Sequence, residues 1–209
     1  MKKEINPQET SRYDAFNLWL TSPMPMVTLT KTFDVTKILK TSKKHKISFN
    51  ALLCWCIGKV ASQIKEFYLL VEKEKLYKYD KLAINVIVNN QKGGINSCDI
   101  AWSEDLKQFI KDYTQLTTLS IKENKSTFLE DYMIIGTSAM IQTEIDSIVN
   151  QYTDKFTNPM LMWGKYRKHF LKTLLPISFQ FHHVQMDGGD AARFLELLQK
   201  EIKSFSFSS

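Results

Sequence analysis

The sequence predicts an α/β domain built on a mixed sheet, and three observations support this class. Patterns typical of helices and of strands alternate along the chain. Of the 209 residues, 44% are hydrophobic and only 7 are Gly and 5 are Pro, which is enough apolar material for a sizeable core. No linker, repeat or long charge block divides the chain, so we expect one domain over residues 1–209.

The first half of the chain predicts a helix, a strand and a second helix. Ser11 is a candidate cap for a helix with apolar residues at 13–20, and Pro23 would end it. A strand is expected at 26–33. The next helix is expected at 48–64, and because apolar residues surround most of its circumference, it should be buried.

The second half predicts three strands and two helices. The run at 82–88 is typical of a buried strand, and 103–113 has the spacing of an amphipathic helix. Further strands are expected at 132–139 and 175–183. In the closing helix, 191–205, apolar residues recur at steps of three or four. Strands separated by helices predict a sheet with both parallel and antiparallel pairs.

Charge and cysteine content narrow the class of protein. The net charge of +6 suits a nucleic acid, an anionic membrane or a phosphate-bearing small molecule, without choosing among them. The densest basic stretch, 40–46, lacks interleaved aromatics, so we interpret it as a solvated face rather than a nucleic-acid site. Cys54, Cys56 and Cys98 are expected to be reduced, in a cytoplasmic protein. We expect no membrane span, because the longest apolar run is short and interrupted.

Two histidines offer the best lead to chemistry, since the sequence lacks glycine-rich phosphate loops, a GxSxG elbow, an HExxH helix and CxxC pairs. His45 and His169 lie in basic stretches and are expected on the surface. His182 and His183 end the strand predicted at 175–183, where His183 shares a face with apolar residues. Asp187 follows four residues later, in a turn that contains glycine.

The residues alone leave three interpretations of this turn open. His183 can be a core histidine bonded to a carbonyl, with Asp187 as a helix cap. A metal site that includes His182 is disfavoured, because adjacent strand residues point to opposite faces, and we expect no metal. An imidazole in an apolar wall is also suited to removing a proton from a hydroxyl or thiol near neutral pH.

A wider set of motifs resembles the chloramphenicol acetyltransferase family. Residues 182–188 match its HHxxxDG motif, and 174–194 are similar to its closing strand, turn and helix. Residues 11–16, Ser-Ala at 138–139 and Gly-Lys-Tyr at 164–166 are similar to further family segments in the same order. The resemblance implies a two-layer sandwich with helices covering the mixed sheet. It also implies acetyl-CoA as co-substrate and a homotrimer with active sites between subunits.

The resemblance implies a role for each matching residue of the catalytic site. His183 would take the proton of an acceptor hydroxyl as it attacks acetyl-CoA, and Ser138 would donate a hydrogen bond to the oxyanion. Asp187 would pair with Arg12 and hold the turn. Without the resemblance, Ser138 is interpreted as an ordinary strand serine and Arg12 as a surface cation.

The resemblance further implies the coenzyme and acceptor contacts. Lys165 would lie near a phosphate of acetyl-CoA and Tyr166 near its adenine, although such an aromatic is equally typical of packing. Ile95 and Ile148 would line the acceptor pocket. Ile95 replaces an aromatic wall of the family, and Met162 stands where a threonine is common.

These departures bear on the acceptor, because a pocket with fewer aromatic faces stacks less well on a nitrophenyl ring. Chloramphenicol, and with it inactivation of the antibiotic, is the first hypothesis for the acceptor. Another small alcohol, an amine or a thiol is the alternative. A non-catalytic binding module on the same scaffold is the remaining hypothesis.

Overall fold

A computed structural model of the protein describes residues 1–207. The α-helices, in chain order, are α1 (Tyr13–Trp19), α2 (Thr36–His45), α3 (Phe49–Ala61), α4 (Leu106–Glu123) and α5 (Gly188–Ser204). The strands are β1 (Lys3–Glu4), β2 (Met26–Asp34), β3 (Leu69–Glu72), β4 (Lys75–Lys78), β5 (Leu82–Asn89), β6 (Ile95–Ala101), β7 (Met133–Met140), β8 (Met160–Gly164), β9 (Arg167–His169) and β10 (Lys172–His182).

Within residues 1–207, seven strands form the main sheet. Their order is β2-β10-β8-β7-β5-β6, with β9 paired to β10. Strand β7 runs parallel to both β5 and β8, whereas the other neighbours pair antiparallel. The sheet is therefore mixed, as predicted. Strands β1, β4 and β3 form a small second sheet.

The core lies between one face of the main sheet and helices α2 to α5. Ile177, Phe179 and Phe181 alternate along β10 and are fully buried, and Phe179 packs against Phe194 of α5. Burying such side chains contributes about 1.5–3 kcal/mol each to folding. One layer of helices on one sheet confirms the predicted α/β sandwich. No helix within residues 1–207 is both long and apolar enough to cross a bilayer.

Two helices differ from the sequence prediction. Helix α2 forms where we expected only a basic stretch, because Ile38, Leu39 and Ser42 face the core while the surrounding lysines conceal the amphipathic pattern. Helix α4 continues past the predicted end at residue 113 to Glu123. By contrast, α3 begins next to its predicted start, with Ser48 as its N-cap, and is buried around most of its circumference, as expected.

The helix α1 lacks the predicted serine cap. It begins at Tyr13, with Arg12 at the N-cap position and no side-chain cap. Thr10 Oγ1 accepts a hydrogen bond from the Arg12 backbone N–H (3.1 Å), so a residue outside the helix orients this end instead of Ser11. The Arg12 side chain extends away towards the C-terminal half of the chain. Strands β6 and β8 were not predicted either. The sequence of β6 mixes polar and apolar residues without clear alternation, and β8 is a five-residue apolar run too short to show a period.

Residues 141–158, here called the covering segment, lie over the sheet face opposite the helices. The backbone N–H of Ile148 donates to Ser178 Oγ (2.8 Å). The side-chain amide of Gln180 donates to the Asn150 carbonyl (3.0 Å). These two bonds attach the covering segment to β10, and they place a loop rather than a helix over this face.

The close approach of Trp102 to Gly58 in α3 leads to a stability prediction. A Cβ at position 58 would lie 2.1 Å from Trp102 Cδ1, so Gly58→Ala forces the indole to move. Overpacking costs about 1–3 kcal/mol, whereas Ala gains at most about 1 kcal/mol over Gly in a helix. We expect a lower urea midpoint for Gly58→Ala. In a Trp102→Ala background the same change should raise the midpoint, and a stabilised single variant would contradict the packing argument.

Candidate active site

The turn between β10 and α5 positions His183. Strand β10 ends one residue before it, and Asp187 occupies the N-cap position of α5. The backbone N–H of His183 donates to the Pro25 carbonyl (2.8 Å). Its ring stacks on Trp19 of α1, with ring centroids 4.6 Å apart and an interplanar angle of 8°. The side chain is 27% exposed, so the imidazole is fixed by packing and remains accessible.

Arg12 ties the N-terminal segment to this turn. Its Nη1 and Nη2 donate to the two carboxylate oxygens of Asp187 (2.6 and 2.9 Å). Nε donates to the Val184 carbonyl (2.8 Å), and Nη2 also donates to the His183 carbonyl (2.7 Å). The side chain is only 6% exposed. Because bidentate charged hydrogen bonds are strong and directional, Arg12 fixes the path of the turn.

The carboxylate of Asp187 faces both Arg12 and His183. Hydrogen bonds from Arg12 hold the pKa of Asp187 below its ordinary value, against the effect of burial, and the charge of His183 adds to the lowering. Oδ1 lies 3.3 Å from Nδ1 of His183, within ion-pair reach. The geometry is not that of a hydrogen bond, and the buried Nδ1 has no hydrogen-bond partner among residues 1–207. The exposed part of the ring therefore lies away from Nδ1.

His182 is excluded from this arrangement by its orientation. It is 1% exposed, and its Nδ1 accepts a hydrogen bond from the Val184 N–H (3.1 Å). Burial, with a smaller effect of His183, lowers the pKa of His182 to about 4, so the ring is neutral at pH 7. Across the part of the chain that the structure describes, no three His, Cys, Asp or Glu side chains are grouped as metal ligands.

Ser138 lies on the sheet face opposite the helices, far from the His183 of the same chain. Ser138 is in register with Met162, and Met162 is in register with Ser178 of β10. His183 follows five residues further along the chain. Strands are about 4.8 Å apart and rise about 3.3 Å per residue, so the Cα atoms of Ser138 and His183 are roughly 19 Å apart. One chain does not bring the two residues together.

Lys165 and Tyr166 line a cavity of about 300 Å³ at the end of β8. Phe49 and Asn50, from the first turn of α3, form the opposite wall, and Ile141 closes one side. The rings of Tyr166 and Phe49 meet edge to face, with centroids 5.9 Å apart. A helix N-terminus, a lysine and an aromatic ring thus surround one opening, a combination suited to a phosphate-bearing ligand.

Two further residues shape this cavity. Gly164 is required by a close chain crossing, because a Cβ there would lie 2.8 Å from the Thr143 carbonyl oxygen. Trp163 is almost fully buried, and its Nε1 has no hydrogen-bond partner among residues 1–207. A buried N–H without a partner is costly, so an acceptor on a bound molecule would relieve it. No sequence pattern indicated Trp163 as a cavity residue.

A second cavity, of about 380 Å³, opens on the face that carries Ser138. Its floor is a row of residues in register on five adjacent strands: Asp99, Asn85, Gly136, Met160 and Gln180. Gly136 lies in the middle of the row, where a Cβ would lie 3.3 Å from Cγ of the neighbouring Met160. Phe128 and residues of the covering segment form the remaining walls.

The residues predicted for the acceptor pocket lie outside the lining of this second cavity as far as residues 1–207 define it. Ile95 is 66% exposed at the start of β6, two residues before Ser97, which does line the cavity. Ile148 lies in the covering segment, attached to β10. Asn85 and Asp99 were not predicted from the sequence, although Asn85 is a polar residue inside the buried run at 82–88 and could have indicated the site.

The Arg12 pair leads to a prediction with a defined pH dependence. The pKa of Asp187 is lower in the folded chain than its unfolded value of about 3.9. Its stabilising effect is therefore present above that value and lost as the pH falls through the folded-state pKa. Asp187 is half exposed, so Asp187→Asn should lower the free energy of unfolding by only about 1 kcal/mol near pH 7.

This difference between wild type and Asp187→Asn should shrink as the pH falls from about 5 to about 2, as measured by urea unfolding. Glu196→Gln is the control, because it removes an exposed ion pair with Lys31 (2.7 Å) and should change stability less. An equal effect of the two variants at pH 7 would contradict the role of Arg12.

The chain matches the family model described as chloramphenicol acetyltransferase over residues 3–199. It is 26% identical over 184 residues to chloramphenicol acetyltransferase 3 of Escherichia coli, which covers 84% of this chain and 85% of that protein. It is 24% identical over 176 residues to a chloramphenicol acetyltransferase of Klebsiella sp, and the match covers 82% of this chain and 80% of that protein.

Solved structures share the fold. A chloramphenicol acetyltransferase superposes with a TM-score of 0.82 at 18% identity, over 97% of this chain and 100% of that one. The dihydrolipoamide acetyltransferase of Azotobacter vinelandii gives a TM-score of 0.68 at 17% identity, over 97% of this chain and 91% of that one. These likenesses show the fold, and the family model shows the family, which confirms the resemblance in the sequence. The protein belongs to the chloramphenicol acetyltransferase family.

Proposed function

We propose that this protein transfers the acetyl group of acetyl-CoA to a hydroxyl of a small molecule. The observation that carries the proposal is the turn in which Arg12 and Asp187 fix the backbone at His183 while the imidazole stays accessible. Family membership supports the same reaction class. In the reaction, the acceptor oxygen bonds to the thioester carbon, the carbon–sulfur bond breaks, and coenzyme A leaves as the thiol.

In this proposal His183 is the general base. Its accessible nitrogen takes the hydroxyl proton during attack and returns it to the departing sulfur. Stacking on Trp19 holds the ring, and Asp187 faces the buried Nδ1 at 3.3 Å, where it stabilises the protonated ring. Asp187 and Arg12 are positioning residues, because they act on the turn rather than on the substrate.

Ser138 is the proposed donor to the oxyanion, and it acts on a thioester that faces His183 of another copy. Two observations support this. The two residues are roughly 19 Å apart within one chain. The cavity at Lys165 also lies close to Ser138 along the strands. Gly164, which lines that cavity, is in register with Met140, two residues beyond Ser138. We therefore propose a homotrimer whose active sites lie between subunits.

The cavity that Lys165 and Tyr166 line is the proposed site of the coenzyme. Lys165 and the start of α3 would meet a phosphate, and Tyr166 offers a ring face to the adenine. Trp163 Nε1 would donate to a carbonyl of the pantetheine arm, which supplies the missing acceptor. The protein uses no metal in this scheme.

Chloramphenicol is the first acceptor to test, because the relatives are named for it. Inactivation of the antibiotic would follow from its acetylation. Another small alcohol is the second candidate, and the polar floor of the second cavity favours it over an acceptor that relies on aromatic stacking. All three cysteines are free and buried, which is compatible with the proposed cytoplasmic location.

The reaction class predicts acceptor-dependent release of coenzyme thiol. Purified protein with acetyl-CoA should release free thiol when a suitable hydroxyl compound is added, and slowly without one. Turnover with chloramphenicol supports the first acceptor, and turnover only with other alcohols supports the second. Coenzyme binding without turnover for a broad acceptor panel would refute the enzymatic proposal and favour a binding module.

The role of His183 predicts a specific kinetic defect. His183→Ala should lower kcat by about 10²–10⁴-fold, because a positioned base contributes that much. Coenzyme affinity, measured calorimetrically, should stay the same. His169→Ala is the matched control, since His169 is exposed on β9 and should retain full activity. Activity retained by His183→Ala would exclude it as the base.

The site between subunits predicts complementation. His183→Ala and Ser138→Ala should each be nearly inactive alone, whereas a mixture refolded together should recover activity. With equal amounts and random assembly, about a quarter of the interfaces pair two intact residues, so about a quarter of wild-type activity should return. No recovery in mixed trimers, verified by mass, would place both residues in a site within one chain.

A further inference from the structure

Asp99 is a buried carboxylate that the proposed chemistry does not use. It lies in the middle of β6 and is 4% exposed. Its Oδ1 accepts a hydrogen bond from Asn85 Nδ2 (2.6 Å), and its Oδ2 accepts one from the Leu129 N–H (2.9 Å). Both partners are neutral. The hydrogen bonds orient the carboxylate, and its negative charge remains uncompensated.

No cationic side chain within residues 1–207 pairs with Asp99 at 4.0 Å or less. Buried charges are expensive unless they are paired or bind an ion, so natural proteins rarely keep one without a partner. By comparison, the buried Arg12 has its carboxylate partner at 2.6 Å. The missing counter-charge of Asp99 is therefore expected from a bound molecule.

The second cavity gives such a molecule access to Asp99, which lines it. Asn85 and Gly136 follow in the same row, and Ser138 lies two residues beyond Gly136 on the same face. Two exposed aromatic rings, Phe128 and Phe156, stand at the walls. Aromatic faces attract cations as well as flat apolar groups. The cavity thus offers a negative end and an aromatic wall, and the proposed oxyanion donor lies two residues beyond its floor on the same strand.

We propose that the acceptor carries a protonated amine that binds Asp99, with its reacting hydroxyl towards Ser138. This inference rests on the proposed function for the identity of the molecule as an acceptor. Strand spacing puts the Cα atoms of Asp99 and Ser138 about 12 Å apart. With a hydrogen bond at each end, roughly 6–9 Å remains between the ammonium nitrogen and the hydroxyl oxygen. The substrate class is an amino alcohol with its two groups at opposite ends.

The test uses two acceptors of equal shape and different charge. In 4-(aminomethyl)benzyl alcohol, an ammonium group stands where 4-ethylbenzyl alcohol has a methyl group. Wild-type protein with acetyl-CoA should form the ester of the charged alcohol with at least ten-fold higher kcat/KM, measured chromatographically. Equal values, or a preference for the neutral alcohol, would overturn the proposal.

Asp99→Asn tests the residue itself. It removes the charge with little change of shape, so the ratio of kcat/KM for the charged alcohol to kcat/KM for 4-ethylbenzyl alcohol should fall to about one. Asp105→Asn is the matched control, because this exposed carboxylate only caps α4 and asparagine caps helices as well. A preference that survives Asp99→Asn would overturn the assignment. If Asp99→Asn is too unstable to assay, the proposal is tested by comparing kcat/KM of wild type for the charged and the neutral alcohol.

Equilibrium binding separates this inference from the proposed function. Ligand-observed NMR without acetyl-CoA should show tighter binding of the charged alcohol than of the neutral one by wild type. Asp99→Asn should remove this difference. If the difference is present and no acceptor is acetylated, the cation site stands and the proposed reaction fails. If acetylation occurs and no difference in binding or turnover is found, the reaction stands and the cation site fails.

Discussion

The guanidinium of Arg12 is almost fully buried where the N-terminal segment meets the turn between β10 and α5. It satisfies two backbone carbonyls and a carboxylate at once, which only a planar group with several donors can do. The same contact brings α1 beside the turn, so that Trp19 covers one face of the His183 ring. A single charged side chain thereby fixes the backbone, the ring and the entry to α5.

Strand register keeps His183 and Ser138 apart within one chain. His183 follows the last residue of β10, whereas Ser138 lies two strands away and level with Ser178, near the middle of β10. A rigid sheet does not bend to join them. In the proposed reaction the two residues therefore come from different copies of the chain, which a closed assembly would bring together.

Much of the fold could be predicted from local pattern. The alternation along β10 and the apolar run of α3 gave the right elements because burial there follows one clear period. Helix α2 was hidden by its lysines, which face solvent.

At the site, His183 and Asp187 are neighbours in sequence and visible as a motif. The setting of Asp99 depends on pairing with Asn85 across two strands, and the unpaired Nε1 of Trp163 depends on a cavity; no local pattern encodes either.

The covering segment is attached to β10 chiefly through Ser178 and Gln180, yet it supplies much of the wall of the second cavity. Side chains such as Thr153 and Phe156 thus contact what enters the cavity without supporting the sheet or the His183 turn. Loops tolerate exchange better than the elements they join. Under the proposed function, substitutions in this one loop would change the acceptor, while the turn at His183 would stay under separate selection. Substrate preference would then drift in evolution at little cost to the proposed reaction.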